Sequence, residues 1–197
     1  MLLQENYQEK TDEDLVSKTL ENKENYRYLM QRYEGKLKRY IIRISGVRQE
    51  DAEDILQEVF IKTYRKLNDF DRNLKFSSWI YRIAHNETIT HFRKTSRKPK
   101  TFDLEVNEIA LNTLRADLDI ESDLDKKNLG ENMAKLINNL DNKYKEALIL
   151  RYMEDKNYEE ISDILKKPIG TVATLLKRAK EQFKKELIKN QSIKEYV

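Results

Sequence analysis

Apolar residues recur at steps of three and four through the first half of the chain, the spacing expected of helices with one buried face. A short helix is predicted after Thr11, which forms a capping-box pair with Asp14 three residues later. A longer helix is predicted over residues 26–44, where Gly46 supplies the usual left-handed end. The chain therefore begins with two predicted amphipathic helices.

Two more helices complete the first half. One is predicted from residue 51 to about 68, with its apolar pattern carried by Ala52, Ile55, Leu56, Val59, Phe60, Tyr64 and Leu67. The next is predicted to begin with Ser77 as its N-cap and to end in the basic run of residues 93–98.

The second half has four helical patterns, over residues 133–140, 143–153, 158–165 and 171–188. The last two have the spacing of a helix-turn-helix, because Pro168 interrupts the pattern and Ser162 is small enough for a close crossing. Lys166 stands where such turns often have glycine, so we expect the turn to be either slightly strained, with a left-handed residue at this position, or wound differently. Thr171 is the predicted cap of the final helix. An ordinary helical hairpin with a solvated basic face is the alternative.

Composition supports an all-helical protein. Four glycines and two prolines in 197 residues supply little turn material for sheets. The absence of cysteine excludes disulfides, a thiolate nucleophile and cysteine-bound zinc. Acidic residues within the first 30 positions argue against a signal peptide, and the longest apolar run, residues 147–150, is too short for a bilayer. We expect a cytoplasmic protein with no membrane insertion.

Charge is segregated along the chain although the net charge is only +3. Residues 93–100 hold five basic and no acidic side chains, and residues 166–189 hold eight basic and two acidic ones. Between them, residues 101–131 hold nine acidic and three basic side chains without a strong apolar period. This pattern predicts two domains, each with a basic segment, joined by an acidic linker.

No pattern indicates catalysis. Asp51, Asp54 and Glu58 lie on successive turns of one predicted helix, but no nucleophile, cleft or metal partner accompanies them. They form either a solvated face or a docking surface for a basic partner. His85 and His91 are six residues apart and so lie on different helical faces. We expect neither an enzyme nor a bound cofactor or metal.

Aromatic, amide and cationic side chains are mixed in the fourth predicted helix, among them Trp79, Arg82, Asn86 and Arg93. Such a mixture suits single-stranded nucleic acid, because unpaired bases stack on aromatic rings while cations follow the backbone. Trp79 and Phe92 are equally candidates for the core. In the last helix, Lys177 and Arg178 are among the cations suited to DNA phosphates.

Four features follow one another along the chain: DAEDILQEVF, FSSWIYRIAHN with its trailing basic run, an acidic stretch, and a helix-turn-helix containing PIGTV. In carrying them in this order, the chain resembles the extracytoplasmic-function group of sigma-70-type RNA polymerase sigma factors. The resemblance covers about residues 12–96 and 132–187. It implies a tail at 1–11, a region 2 helical bundle at 12–98, an acidic linker at 99–131, a region 4 helix-turn-helix domain at 132–189 and a tail at 190–197.

The resemblance also implies partners and contact residues. Docking on the clamp helices of the polymerase β′ subunit is implied for Asp51, Asp54, Gln57, Glu58, Phe60 and Ile61. Capture of the unpaired minus-10 strand is implied for Asn73, Lys75, Trp79, Arg82, Asn86, Thr90 and Arg93. Contact with the minus-35 duplex is implied for Lys167, Thr171, Ala173, Thr174, Lys177 and Arg178.

Other expectations follow from the same resemblance. Helices within 136–153 would rest on the polymerase β flap, the linker would thread the polymerase cleft, and an anti-sigma factor would be a further partner. Where the family often has Lys-Ser-Arg, this chain has Ala173, Thr174 and Leu175, so two usual cations are missing from the front of the helix.

Two other interpretations remain open. A stand-alone DNA-binding repressor or activator would leave the acidic helix after residue 51 without a role. A helical adaptor or anti-sigma-like scaffold would leave both basic segments unexplained. Binding to core polymerase separates all three.

Overall fold

The computed structural model describes residues 7, 9–95, 113–114, 117 and 135–194, and within these ranges the chain forms helices and turns without a strand. The predicted all-helical fold class is confirmed. The described residues form two compact units, the first drawn mainly from residues 7–95 and the second mainly from residues 113–194. No helix in the described ranges is both long and apolar enough to cross a bilayer.

The first unit contains four helices: α1 (Asp12–Glu21), α2 (Tyr26–Ser45), α3 (Gln49–Arg65) and α4 (Phe76–Thr95). The predicted capping box at the start of α1 is confirmed, since Thr11 Oγ1 accepts from the N–H of Asp14 at 3.1 Å and the Asp14 carboxylate accepts from the N–H of Thr11 at 3.3 Å. The predicted end of α2 is confirmed as well, because Gly46 is left-handed with φ 68°. Single 3₁₀ turns lie in two of the connections, at Lys23–Asn25 and Leu67–Asp69.

The core of the first unit is made by the inward faces of all four helices. Its fully buried residues include Leu15, Leu29, Leu37, Ile41, Val59, Phe76 and Ile80. Each such side chain contributes roughly 1.5–3 kcal/mol by leaving water. The predicted inward pattern of α3 is wrong at Tyr64, which is 43% exposed, whereas Thr63 is fully buried. At its carboxyl end, α3 therefore turns Thr63 rather than Tyr64 toward the core.

An aromatic cluster fixes the connection between α3 and α4. The ring centroid of Phe70 lies 5.5 Å from that of Phe76 and 5.2 Å from that of Trp79, and the ring of Tyr33 on α2 packs on Phe76 at 5.6 Å. Because Phe70 precedes residues 71–75 and Phe76 follows them, the two ends of this loop are held together by one cluster.

The start of α4 differs from the prediction. The helix begins at Phe76, so Ser77 lies within its first turn and is not the N-cap. A carboxylate from α1 supplies a cap instead, since Glu13 Oε1 accepts from the N–H of Phe76 at 3.2 Å. An acceptor so distant in the sequence leaves no local pattern.

The second unit contains α5 (Asn142–Leu148), α6 (Tyr158–Leu165) and α7 (Ile169–Lys194). The helix predicted over 143–153 changes at Ile149 into a π-helical segment, Ile149–Met153. The predicted bounds of α6 are confirmed, and Asn157 caps it by accepting from the N–H of Glu160 at 2.9 Å. The helix predicted over 133–140 is described only from residue 135, and its residues 135–138 are helical.

The turn between α6 and α7 has a left-handed residue, Lys166, with φ 51° and ψ 48°. Ser162 closes it, because its hydroxyl donates to the carbonyl of Lys167 at 2.6 Å while its carbonyl accepts from the N–H of Lys167 at 3.1 Å. The prediction that Thr171 caps α7 is wrong. The carbonyl of Pro168 accepts from the N–H of Thr171 at 2.8 Å, so Thr171 already lies inside the helix.

Three residues of the acidic segment are described, and they belong to the second unit. Leu114 is only 1% exposed, so the segment packs into the unit at this point. Its composition alone suggests a linker between the domains. Residues 1–6 and 8 of the predicted tail at 1–11, residues 195–197 of the predicted tail at 190–197, residues 96–98 and the rest of the acidic segment lie outside the described residues.

Candidate functional site

One face of α3 carries polar and apolar side chains that its own unit does not bury. Asp54, Gln57, Glu58 and Ile61 are exposed and follow one another at helical spacing. Asp51, at the start of this row, is partly covered and lies 3.5 Å from the guanidinium of Arg48. We call these five residues the α3 face.

Burial separates two aromatic residues of α3. Phe60, which the sequence analysis places both in the apolar pattern of the helix and among the docking residues, is 7% exposed and packs edge-on against Tyr26 with ring centroids 6.5 Å apart. Its carbonyl also accepts from the Tyr26 hydroxyl at 2.8 Å. Phe60 thus supports α3 from within. Tyr64, assigned to the core by its spacing, instead adds an exposed ring beyond Ile61, which is itself 37% exposed.

A second surface runs along α4. Arg82, Asn86, Thr90 and Arg93 follow one another at helical spacing and form what we call the α4 stripe. Asn86 and Arg93 are exposed, whereas Arg82 and Thr90 are half-buried. The Thr90 hydroxyl donates to the backbone carbonyl of Asn86 at 2.7 Å. The side chain of Asn86 is exposed, and its amide carries both donor and acceptor groups.

Trp79 precedes the α4 stripe at helical spacing, but it does not lie on the surface. Its side chain is 7% exposed and lies in the aromatic cluster, 5.7 Å from the ring of Phe76. Of the two roles that the sequence left open, base stacking and core packing, the structure places Trp79 in the second. Phe92, the other residue with two candidate roles, is half-buried.

The loop at 71–75 lies directly before the α4 stripe. Asp71 Oδ1 accepts from the backbone N–H of Asn73 at 3.0 Å and from its side-chain amide at 2.9 Å, so the loop has a hydrogen-bonded turn of its own. Asn73 and Lys75 are exposed, as the sequence prediction requires. Leu74 is 43% exposed at the tip, and the sequence analysis missed it because no helical period extends into a loop.

The second unit exposes a cationic surface on its last helix. All six residues predicted to contact the minus-35 duplex are exposed: Lys167, Thr171, Ala173, Thr174, Lys177 and Arg178. The Thr174 hydroxyl donates to the carbonyl of Gly170 at 2.9 Å, which points its methyl group away from the backbone. Three cations and three small side chains therefore share the exposed side of the turn and of α7.

Buried ionisable groups lie on α5. Lys145 is 4% exposed, and its ammonium donates to Asn138 Oδ1 at 2.7 Å. Burial lowers the pKa of Lys145 to about 8. Burial also raises the pKa of the adjacent Glu146 carboxyl to about 7, against the opposing effect of Lys167 and Lys145. Because both shifts come from burial, these groups bear on the stability of the second unit.

Two family models match the chain. Sigma-70 region 2 matches residues 29–98, and Sigma-70 region 4 matches residues 130–183. The first match contains the α3 face, the loop and the α4 stripe, and the second contains the helix-turn-helix.

Similar proteins carry the same description. The chain is 35% identical over 161 residues to the ECF RNA polymerase sigma factor SigW of Bacillus subtilis, covering 79% of this chain and 84% of that protein. It is 30% identical over 182 residues to the ECF RNA polymerase sigma-E factor of Haemophilus influenzae, covering 90% of this chain and 95% of that one.

Solved structures share the fold. CnrH in complex with the cytosolic domain of CnrY superposes with a TM-score of 0.64 at 20% identity, over 89% of this chain and 96% of that one. The sigma factor RpoE in complex with the anti-sigma factor NepR from Bartonella quintana superposes with a TM-score of 0.62 at 20% identity, over 83% and 96%.

Proposed function

The chain belongs to the extracytoplasmic-function group of sigma-70-type RNA polymerase sigma factors, and we propose how its two helical units divide the work of transcription initiation. The first unit docks on core polymerase and holds the opened minus-10 strand, and the second binds the minus-35 duplex. The observation that carries this proposal is the α3 face, a continuous acidic and apolar surface that the packing of its own unit leaves exposed.

Docking is assigned to the α3 face together with Tyr64. Its carboxylates suit a basic partner surface, and we propose that the β′ clamp helices present one. Charges at the rim of an interface act mainly on the association rate and on the choice of partner. Ile61 and Tyr64 supply the apolar area, whose burial contributes about 25 cal/mol per Å². Phe60 is not in this set of contacts, because it is held inside the unit.

Strand opening is assigned to the loop and the α4 stripe. An extruded base is recognised by hydrogen bonds to its polar edge, which the Asn86 amide can supply, while Lys75 and Arg93 are exposed cations for the strand backbone. Unpairing costs a few kcal/mol, and contacts that exist only with the separated strand offset part of that cost. Opening then follows from tighter binding to the open state.

The second unit is proposed to place the start of α7 in the major groove of the minus-35 element. Lys177 and Arg178 are exposed cations for phosphates, which give affinity and salt dependence rather than sequence selectivity. Ala173 and Thr174 present methyl groups that can meet a thymine methyl. The surface of α5 is proposed to face the β flap.

Neither unit is proposed to catalyse a reaction, since the polymerase forms every bond. We propose that the protein works in the cytoplasm, where bacterial transcription takes place, and that an anti-sigma factor sequesters it, as in the solved complex of RpoE with NepR. A stand-alone DNA-binding regulator is not favoured, because the α3 face would then have no partner.

Reconstitution tests the proposal. Purified chain and core bacterial polymerase are incubated with fragmented genomic DNA from the same cell, and the 5′ ends of the transcripts are mapped. We expect discrete start sites that core polymerase alone does not use. A start-site profile identical to that of core polymerase, obtained with folded protein, would contradict it. A pull-down of core polymerase separates the proposal from a stand-alone regulator, which would not be retained.

A further inference from the structure

An acidic residue from the segment between the domains is bonded to the DNA-binding helix of the second unit. Asp117 Oδ2 accepts from the Tyr152 hydroxyl at 2.7 Å and from the ammonium of Lys180 on α7 at 3.1 Å. Three residues earlier, Leu114 is 1% exposed and anchors the segment in the core of the unit. The contact of Asp117 with α7 is therefore backed by buried apolar packing.

Asp117 and Lys180 line an open cleft of about 280 Å³. Its lining includes Asp117, Tyr158, Ala173, Lys177, Lys180 and Lys184. Five lining residues come from α7. Four of them, Ala173, Lys177, Lys180 and Lys184, are spaced by four, three and four positions and so share one face of the helix, and the fifth, Glu181, adds a carboxylate to the lining. Ala173 and Lys177 belong to the proposed minus-35 contacts, so the acidic segment lies at the edge of the surface assigned to DNA.

A carboxylate at this place is a chemical substitute for a DNA phosphate. Both are anions whose oxygens accept from lysine ammonium groups. The Tyr152 hydroxyl lowers the pKa of the Asp117 carboxyl below its ordinary value, with a further contribution from Lys180, so the group is ionised at neutral pH. A phosphate that approaches Lys180 must displace an anion that is already in place.

We propose that Asp117 is an intramolecular inhibitor of DNA binding, which occupies a phosphate site on α7 in the free protein and must be displaced by duplex DNA. This inference rests on the proposed role of the second unit in minus-35 binding. It adds a regulatory role for one residue of the acidic segment, which lowers the affinity of the free factor for DNA.

The test measures duplex binding by the full chain in the absence of polymerase. The probe is a fluorescein-labelled 20-base-pair duplex of mixed sequence, since phosphate contacts do not depend on sequence, and anisotropy is recorded over a series of salt concentrations. Asp117→Asn removes the charge and keeps an oxygen that can accept from Tyr152. Glu186→Gln on α7 is the matched control for the change in net charge.

We expect Asp117→Asn to bind about 3- to 10-fold more tightly than Glu186→Gln. The slope of log K against log salt should become steeper by about 0.9, because one more lysine pairs with a phosphate. In a Lys180→Ala background the gain from Asp117→Asn should vanish. Equal affinity and equal slope for Asp117→Asn and Glu186→Gln would overturn the inference, and so would an undiminished gain in the Lys180→Ala background.

A second variant covers the case in which Asp117→Asn does not fold. Tyr152→Phe removes one hydrogen bond to the carboxylate and should raise DNA affinity in the same direction, while wild-type affinity from a folded Tyr152→Phe overturns the inference. Start-site mapping with wild-type holoenzyme keeps the two claims apart. If wild-type holoenzyme selects start sites but the affinity of the variants for duplex DNA does not rise, only the inference fails. If wild-type holoenzyme does not select start sites, the result counts against the proposed function, whatever the duplex assay gives.

Discussion

The carboxylate of Glu13 in α1 accepts a hydrogen bond from the backbone N–H of Phe76, the first residue of α4, at 3.2 Å. One of the four N–H groups that every helix leaves unpaired at its start is thus satisfied from another helix. The negative charge also lies at the positive end of the α4 dipole. Since Phe76 belongs to the aromatic cluster, this bond ties α1 to the end of the 71–75 loop.

Loss of this cap should destabilise the first unit. Glu13→Ala is expected to lower its free energy of unfolding by about 0.5–2 kcal/mol, the usual effect of removing a helix cap. Glu13→Gln should cost less, because the amide oxygen still accepts. Trp79 is the one tryptophan of the chain, so urea unfolding followed by its fluorescence reports on this unit. Equal stability of Glu13→Ala and wild type would show that the bond contributes nothing.

Charge reversal on the α3 face should weaken docking. Asp54→Lys with Glu58→Lys is expected to lower the affinity for core polymerase about tenfold or more, with weaker salt dependence, because attraction becomes repulsion. The matched control is Glu21→Lys with Glu24→Lys, which makes the same charge change at exposed positions outside α3. Competition binding with labelled wild-type factor gives both affinities. An equal loss in the two double variants would assign the effect to net charge and remove the α3 face from the interface.

Trp79 and Asn86 should behave differently although they lie on one helix. Trp79→Ala is expected to destabilise the first unit by about 3–5 kcal/mol, since it removes a buried ring from the aromatic cluster. Asn86→Ala, at an exposed position, should change stability by no more than about 0.5 kcal/mol and still impair strand opening. Circular dichroism melting gives the stabilities, and permanganate reactivity of thymines gives the opening. A stable Trp79→Ala variant with selectively impaired opening would show that the ring acts on DNA.

The strained turn of the helix-turn-helix offers a stabilising change. Lys166 holds a left-handed conformation, which costs a residue with a Cβ atom about 1 kcal/mol and glycine almost nothing. Lys166→Gly should therefore raise the stability of the second unit by up to about 1 kcal/mol. Lys166→Ala is the control, since it removes the charge and keeps the Cβ. Chemical unfolding followed by circular dichroism measures both, and equal stability of the two variants would exclude strain at this residue.

The second unit should lose stability as the pH rises from about 5 to 7. Burial raises the pKa of Glu146 from 4.5 to about 7, so between these values the folded state binds more protons than the unfolded state. The contribution from the protonated carboxyl is complete below pH 4.5 and is lost as the pH passes 7. Glu146→Gln should match wild type near pH 5 and exceed it at pH 7.5. Melting curves at the two pH values check this, and a constant difference between the proteins would contradict it.

Much of the fold follows from local rules in the sequence. The capping box at Thr11 and the left-handed end at Gly46 each depend on neighbours within a few residues, and both are confirmed. Of the two alternatives for the turn at Lys166, the structure shows the left-handed, strained one. The predicted family membership and the two-domain helical fold class are confirmed as well. Both could be predicted because the motifs and the periodic patterns occur in order along the sequence.

The errors are of two kinds, relationships between distant residues and local details at the ends of helices. Ser77 has the chemistry of a cap, but Glu13 takes that place from 63 positions away. Tyr64 fits the apolar period of α3, and yet the buried Thr63 shows that the helix turns a different residue inward at its end. The bond between Asp117 and Lys180 spans the same number of positions and also leaves no pattern. The contact residues assigned to polymerase and DNA stay predictions that await the measurements above.

The aromatic cluster at the base of the 71–75 loop has an evolutionary consequence. Phe70 and Phe76 hold the two ends of the loop together, and the side chains between them are exposed. Substitutions at Asn73 or Leu74 thus leave the folded scaffold intact. On the proposed assignment of this loop to the minus-10 strand, lineages descended from such a protein acquire new promoter preferences one tip residue at a time, without passing through unfolded intermediates.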